Sequence, residues 1–166
     1  MNPVITVTKL DYSYGKISVL KDISFQIQKS DFFVIIGPNG SGKTTLLRLL
    51  AGIISAGGGR IDLLGDSIED YTRKALARKI AYVPQTIPVD FPFTVSEVVL
   101  MGRSPHLGML GLEKEKDLVT AKQAMKFTEL DYLADRKINQ LSGGECQRGF
   151  IARAICQETD IILLDE

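Results

Sequence analysis

One glycine-rich stretch of this sequence carries the residue types that bind phosphate. The run Gly37-Pro38-Asn39-Gly40-Ser41-Gly42-Lys43-Thr44 fits the pattern G-x-x-x-x-G-K-[ST]. Glycines let the backbone curl so that successive N–H groups point at one oxyanion, and the start of a following helix adds further donors. Lys43 would reach the β- and γ-phosphates as a positive charge, and the Thr44 hydroxyl is a hard oxygen ligand for Mg²⁺. The stretch predicts a nucleotide-phosphate site rather than an ordinary glycine-rich turn.

A second candidate group consists of two carboxylates that follow an apolar run. Residues 161–164 are Ile-Ile-Leu-Leu, and Asp165 and Glu166 come directly after them. We expect this run to be a strand beside the strand that precedes the phosphate loop. Asp165 would then hold Mg²⁺, directly or through water, and Glu166 would polarise the water that attacks the γ-phosphate. Alone, the pattern equally describes an ordinary strand with a polar exit, and the phosphate loop favours the catalytic interpretation.

A third segment predicts the start of a helix that could bind an anion. Ser142 and Glu145 have the spacing of a capping box, in which the hydroxyl and the carboxylate satisfy free N–H groups of the first turn. Gly143 and Gly144 lie between them and leave the backbone N–H groups bare, which makes such a helix end an anion site. In isolation, a plain helix cap is the simpler interpretation.

Strands and helices must alternate along the chain to position these residues. Alternating apolar and polar residues predict half-buried antiparallel strands near the N-terminus, whereas continuously apolar runs predict strands covered on both faces of a parallel sheet. One continuously apolar run, residues 32–36, comes directly before the phosphate loop. The predicted strands are residues 4–12, 23–28, 32–36, 61–64, 80–83 and 161–164. The predicted helices are residues 46–50 with a stop at Gly52, residues 70–79, and a helix that begins at Gly143.

Residues 86–140 differ in character from the strands on either side. Prolines interrupt the start of the segment, and Thr94 and Glu97 form a second capping box before an apolar helix. Residues 113–133 then have the pattern of one or two polar helices. We interpret the segment as a helical insertion into an α/β core. The chain would thus divide into residues 1–85, 86–140 and 141–166.

Composition limits the classes of partner. Apolar residues are 45% of the chain and charged residues 24%, which is the balance of a soluble globular protein. Lys plus Arg and Asp plus Glu number 20 each, so no charge excess points to nucleic acid. No apolar run approaches the roughly 20 residues that span a bilayer, and no signal peptide is recognisable. Cys146 and Cys156 lie in one predicted helix, about 15 Å apart, so a reducing, cytoplasmic setting is expected.

Together, the motifs resemble those of the ABC ATPase family. Leu-Ser-Gly-Gly-Glu at 141–145, between a phosphate loop and an apolar strand ending in Asp-Glu, is typical of that family, and the resemblance covers all 166 residues. It implies an α/β P-loop NTPase fold of ABC ATPase type. Such a fold has a mainly parallel sheet core, an N-terminal antiparallel β subdomain and an inserted helical subdomain. ATP and Mg²⁺ are the implied cofactors.

The resemblance also implies roles for individual residues. Two cassettes pair head to tail, so that the phosphate loop of one and Ser142, Gly143 and Gly144 of the other enclose each ATP. Thr45 belongs with the phosphate loop as a nucleotide contact. Tyr14 matches the aromatic residue that stacks on adenine, although strand aromatics are often simply core residues. Gln85 matches the glutamine that touches Mg²⁺ and links the core to the helical insertion.

Two further stretches resemble one group within the family. Residues 101–108, Met-Gly-Arg-Ser-Pro-His-Leu-Gly, and residues 70–85 are similar to the ATPases of iron–siderophore, haem and cobalamin importers. The implied protein is a peripheral ATPase subunit on the cytoplasmic face of the membrane. It would form a homodimer, bind permease subunits through residues 86–140 and depend indirectly on a substrate-binding protein. His106, the only histidine, is interpreted as a structural or exposed residue and not as a metal ligand.

Alternatives remain at this point. The chain could be the ATPase of another metal-ion importer, or a non-transport ABC ATPase that acts on DNA or ribosomes. The single cassette and the lack of basic excess disfavour the latter. Family members also continue beyond the Asp-Glu pair, with a segment at the dimer interface and a histidine that contacts the γ-phosphate. We therefore expect these 166 residues to bind nucleotide poorly, not to hydrolyse it, and to leave strand 161–164 with an unpaired apolar edge.

Overall fold

A computed structural model of the chain describes residues 3–85, 92–108 and 111–165. Contacts within these ranges separate two compact units, Met1–Leu76 and Ala77–Glu166. The first unit contains an antiparallel sheet and the second contains helices around a parallel strand pair. Both parts of the expected fold are therefore present, the antiparallel N-terminal subdomain and a parallel sheet with helices.

The antiparallel sheet of the first unit has four strands in the order β2-β1-β3-β4. A register shift in β1 between Val7 and Leu10, with Lys9 at φ 46, keeps Leu10 fully buried on the core face. The strands predicted from alternating apolar and polar residues at 4–12 and 23–28 are confirmed. Both observed strands are longer than the predicted ranges. The strands are β1 (Ile5–Tyr14), β2 (Ile17–Ile27), β3 (Gly58–Leu63) and β4 (Asp66–Ser67).

Helix α1 (Lys43–Leu50) is the helix predicted after the phosphate loop. Its apolar side chains are buried, and it ends where the sequence predicts, because Gly52 adopts φ 65 and donates its N–H to the Leu49 carbonyl at 3.0 Å. The helix predicted at 70–79 is shorter than expected. A 3₁₀ turn at Ile68–Asp70 precedes α2 (Arg73–Ala77).

Residues 32–36 do not form the predicted covered strand. They lie outside both sheets, and the side chains of Phe32 and Ile36 are 92% and 90% exposed. Phe33 contacts β2 by stacking on Phe25 at 5.2 Å between ring centroids. A parallel strand requires ladder neighbours and covering layers, and none of the described residues forms a ladder with this segment. The predicted strand is therefore wrong, and so is the basis for placing residues 161–164 beside it.

The parallel pair of the second unit consists of β5 (Ile80–Val83) and β6 (Ile161–Leu164), which are both confirmed at their predicted bounds. Ile80 pairs with Ile161 and Val83 with Leu164. Among the described residues, β5 is the only ladder neighbour of β6, and Ile162 and Leu164 are 43% and 54% exposed. The expected apolar edge is therefore present.

Within residues 92–108 and 111–156, three α-helices follow β5 and precede β6, namely α3 (Val95–Leu100), α4 (Glu115–Phe127) and α5 (Gly143–Cys156). Short 3₁₀ turns stand between them at Met101–His106, Asp131–Leu133 and Ile138–Gln140. The helices share one core with Ala81 and Val83 of β5. The boundaries at 86–140 and 141–166 stay a prediction, since the helices and both strands belong to one unit. No described helix has the length and apolarity to cross a bilayer.

The 3₁₀ turn at Met101–His106 is fixed by a buried arginine. Arg103 is 3% exposed and donates to Asp117 at 2.9 Å and to Glu158 at 2.8 Å. Asp117 in turn accepts the Lys114 N–H at 2.9 Å, and this bond and the Arg103 guanidinium lower the pKa of the Asp117 carboxyl. The arginine therefore joins the turn to the start of α4 and to the chain beyond α5.

The same turn contacts β5 through the end of α5. His106 Nε2 lies 2.7 Å from the Gln157 carbonyl oxygen, and the Gln157 side chain donates to the carbonyls of Ala77 and Ile80. Arg78 Nε adds a bond of 2.9 Å to the Pro105 carbonyl. The histidine thus has the structural role that the sequence analysis assigned to it.

We expect Gly102→Ala to destabilise the second unit. A Cβ at Gly102 would meet the Arg153 carbonyl oxygen on α5 and lie 3.2 Å from Cys156 Cβ, and a backbone oxygen cannot move aside. The expected loss in free energy of unfolding is about 1–3 kcal/mol, typical of overpacking. Denaturant unfolding measures it. Gly108→Ala is the matched control because a Cβ there meets nothing within 4 Å, and equal stability of the two variants would contradict the proposed packing.

Candidate functional site

The phosphate loop leads directly into α1 without a side-chain cap. Gly42 is the N-cap residue, and no acidic residue lies in the first turn. The Ser41 N–H donates to the Pro38 carbonyl at 3.2 Å, which closes the loop. The Lys43 ammonium donates to the carbonyls of Gly37 at 2.9 Å and of Pro38 at 3.3 Å. The loop therefore gathers a lysine cation and the N-terminus of a helix, as the sequence predicts.

Glycine is required at Gly42, and the backbone is also tightly packed at Gly37. Gly42 has φ 91, and a Cβ there would meet the side chains of Leu20 at 2.9 Å and Val19 at 3.0 Å. A Cβ at Gly37 would approach Ser41 Oγ at 2.7 Å. The backbone is thus held against β2 on one side and curled upon itself on the other, which is the geometry of an anion cradle.

The residue types around this cradle fit a nucleotide phosphate with Mg²⁺. Backbone N–H groups at the helix start and the Lys43 ammonium supply positive potential, and the half-buried Thr44 supplies a hydroxyl. Thr45 is only 8% exposed, so a nucleotide contact through its side chain stays a prediction. Pro38, Asn39 and Gly40 are exposed along the loop and stay predicted contacts as well.

Tyr14 ends β1 at the tight hairpin that pairs it with Ile17. Its ring meets that of Tyr12 edge to face at 5.0 Å between centroids, and Tyr14 is 47% exposed. The interpretation of Tyr14 as a core aromatic is therefore disfavoured. The exposed ring is available for stacking on a flat apolar group, and its role toward adenine stays a prediction.

Asp165 lies at the end of β6 and is 5% exposed. Its N–H donates to the Val83 carbonyl at 3.0 Å, which extends the ladder past the strand. The Tyr82 hydroxyl donates to Asp165 Oδ2 at 2.8 Å. Tyr82 lies within residues 70–85, and the motifs in the sequence did not predict this contact, which depends on the parallel register of β5 and β6.

Gln85 and Asp165 are brought to one edge of the parallel pair. Because β5 and β6 are parallel, the residues that follow them lie at the same carboxyl edge, where ligands of α/β sheets bind. Gln85 is exposed there. The described residues contain no cluster of three or more His, Cys, Asp or Glu that could hold a metal ion. A single carboxylate nevertheless suits Mg²⁺, which is bound by one or two carboxylates plus phosphates. Glu166 lies outside the described residues.

The predicted capping box at the start of α5 is present. Ser142 Oγ accepts the Glu145 N–H at 3.4 Å, and Glu145 Oε2 accepts the Ser142 N–H at 2.8 Å and the Ser142 hydroxyl at 2.7 Å. These two bonds from Ser142 lower the pKa of the Glu145 carboxyl. Gly143 and Gly144 are exposed, and a Cβ at either would meet nothing. Their bare backbone is open to an external group.

Comparisons with known proteins agree with these motifs. The profile of the family described as ABC transporter matches residues 20–166. The chain is 39% identical over 158 residues to the ferric enterobactin transport ATP-binding protein FepC of Escherichia coli (strain K12), which covers 95% of this chain. It is also 39% identical over 164 residues, 98% of the chain, to the manganese transport system ATP-binding protein MntB of Bacillus subtilis (strain 168).

A solved structure supports the fold. It is described as a putative metal-chelate type ABC transporter in an inward-facing conformation. The match has a TM-score of 0.84 and 37% sequence identity, and it covers 100% of this chain and 60% of the chain in that structure. The chain spans 58% of FepC and 64% of MntB. It thus corresponds to part of the length of each relative, and the activities named for the relatives belong to those longer proteins.

We expect Ser142→Ala to raise the pKa of Glu145 part of the way to its ordinary value, because the hydroxyl donor is lost and the backbone N–H remains. Since the folded-state pKa is depressed, this cap stabilises the fold fully near neutral pH and less as pH falls through that pKa. Carboxyl NMR titration measures the shift. Thr94→Ala is the control. It should raise the pKa of Glu97, which accepts from Thr94 in the equivalent capping box, and leave the pKa of Glu145 unchanged.

Proposed function

Because this chain belongs to the ABC transporter family of ATP-binding proteins, we propose that it forms the nucleotide-binding part of an ATPase that powers import across a membrane. The observation that carries the proposal is the phosphate loop, in which the Lys43 ammonium lies on the Gly37 and Pro38 carbonyls beside an uncapped helix start. Such a loop stabilises negative charge on the β- and γ-phosphates by fixed donors and a cation.

The cofactors proposed are ATP and Mg²⁺. Lys43 would neutralise phosphate charge, Thr44 and Asp165 would supply oxygen ligands to the ion, and Gln85 would be a further contact to it. Mg²⁺, when bound, would supply positive charge that stabilises a phosphoryl group during transfer. The role of Glu166 is to orient and polarise the attacking water. Tyr14 stacks on adenine through its exposed ring.

We further propose that ATP joins two copies of the ATPase. The capping box leaves the N–H groups of Gly143 and Gly144 bare at the start of α5, and a Cβ would be unopposed at both positions. Ser142 with these glycines would bind the γ-phosphate held by the phosphate loop of the other copy, because a helix N-terminus favours an anion.

The proposed partner is a membrane permease that binds residues 86–140 at the cytoplasmic face. Helix α4 and the turn after it present large apolar side chains to solvent, with Phe127 at 78%, Tyr132 at 72% and Leu118 at 54% exposure, as expected of a binding surface. A substrate-binding protein would act indirectly, through the permease.

The proposed cargo is an iron complex such as a siderophore or haem, or cobalamin. The stretch at 101–108 favours this group, and FepC is named for ferric enterobactin. The alternative is a metal ion, since MntB is named for manganese. A non-transport ABC ATPase is disfavoured by the balanced charge of the chain.

We expect Lys43→Ala to weaken binding of a fluorescent ATP analogue by at least tenfold, which corresponds to a loss of about 1.4 kcal/mol or more. The reason is that the lysine is the one cation of the phosphate loop. Titration followed by fluorescence anisotropy measures the affinity. Lys29→Ala is the charge-matched control, since Lys29 is exposed in the turn after β2. Equal affinity of Lys43→Ala and the unmodified chain would refute the nucleotide site.

Ser142→Arg should leave nucleotide binding unchanged and abolish ATP-dependent association. The substitution puts a bulky side chain at the helix end that would meet the other copy. Light scattering with and without ATP, on a chain extended to the length of the relatives, measures association. Lys137→Arg is a control for added guanidinium, because Lys137 is exposed and precedes the turn at Ile138–Gln140. An ATP-induced dimer of Ser142→Arg would contradict the head-to-tail arrangement.

A further inference from the structure

The hydroxyl of Tyr82 is directed at a carboxylate to which the family resemblance gives a metal-binding role. Tyr82 is the third residue of β5, and its hydroxyl donates to Asp165 Oδ2 at 2.8 Å. The two residues are 83 positions apart in the chain. We infer that Tyr82 is a positioning residue that sets the orientation of the Asp165 carboxylate for Mg²⁺. The inference rests on the proposed nucleotide site.

The register of the parallel pair brings the two side chains together. Tyr82 lies opposite Leu163, and Asp165 is two residues further along, so that both side chains leave the same face of the pair. Diagonal neighbours of this kind are about 7–8 Å apart at the backbone, a gap that a tyrosine ring spans and a shorter side chain does not. Phenylalanine has the same reach but no donor.

The burial of Asp165 makes its carboxylate depend on the hydrogen bond from the Tyr82 hydroxyl. Asp165 is 5% exposed, so its carboxylate has little bulk water to replace a lost hydrogen bond. Its backbone is already held by the bond from the Asp165 N–H to the Val83 carbonyl at 3.0 Å. The backbone bond holds the main chain from which the side chain extends, and the phenol bond restrains the carboxylate itself. Both restraints come from β5, the strand that leads to Gln85.

The phenol also distinguishes the two carboxylate oxygens. The Tyr82 hydroxyl donates to Oδ2 and not to Oδ1. Mg²⁺ demands near-ideal octahedral geometry and tolerates misplaced ligands poorly. Partners that orient a metal-binding side chain typically change metal affinity by 10- to 100-fold when removed. Tyr82 would therefore act on metal binding without touching the metal.

The test uses Mn²⁺ as a paramagnetic probe of Asp165 in the presence of ATP. Broadening of the Asp165 carboxyl resonance in a ¹³C-labelled chain gives the Mn²⁺ concentration for half effect. Tyr82→Phe should raise that concentration about tenfold. Tyr71→Phe is the matched control, since it also removes a phenol bond, to the Leu63 carbonyl at 3.0 Å, and should leave the concentration unchanged.

A structural role alone would lower the stability of Tyr82→Phe without changing its Mn²⁺ dependence, and that result would overturn the inference. Absence of Mn²⁺ broadening at Asp165 in the unmodified chain would overturn it as well. In an Asp165→Asn background, Mn²⁺ binding followed by electron paramagnetic resonance should show no further loss from Tyr82→Phe. The nucleotide site is judged separately by Lys43→Ala, so its failure is distinguishable from a failure of the role of Tyr82.

Discussion

The parallel register of β5 and β6 is the constraint on which the second unit depends. Side chains alternate between faces with a period of two, so a slip of one residue would turn Tyr82 and Asp165 to opposite faces. Burial of Ala81 and Val83 in the helical core opposes such a slip. The same pairing sets Gln85 and Asp165 at one edge. A ladder of few hydrogen bonds therefore determines the geometry of the candidate metal ligands.

The conformation of the phosphate loop depends on a different constraint, namely close steric packing against β2. Gly42 fits against β2 because it has no side chain, and its positive φ turns the chain into α1. The loop is thereby defined by contacts that larger residues would destroy. In the second unit, by contrast, buried polar side chains carry the arrangement, since Arg103 joins Asp117 and Glu158 at 2.9 and 2.8 Å.

Features governed by a few consecutive residues were predictable. Both capping boxes, at Thr94 and Ser142, are present because each depends only on residues three positions apart. The end of α1 at Gly52 follows from one left-handed residue. The strand predicted at residues 32–36 is not present. An apolar run has the composition of a buried strand, but a strand also needs neighbouring strands, which no local pattern specifies.

The sequence by itself determined the residue types of the candidate site, because the phosphate loop, the Asp165 carboxylate and the Ser142 helix start are each encoded in short runs of fixed spacing. It also determined the bounds of β5 and β6, since both are apolar runs with polar ends. Only the tertiary structure decided that Tyr82 binds Asp165 and that Arg103 is buried, since these contacts join residues 83 and 14 positions apart. Contacts at such separations depend on how the strands pair and the helices pack, and residue spacing alone carries no record of that geometry.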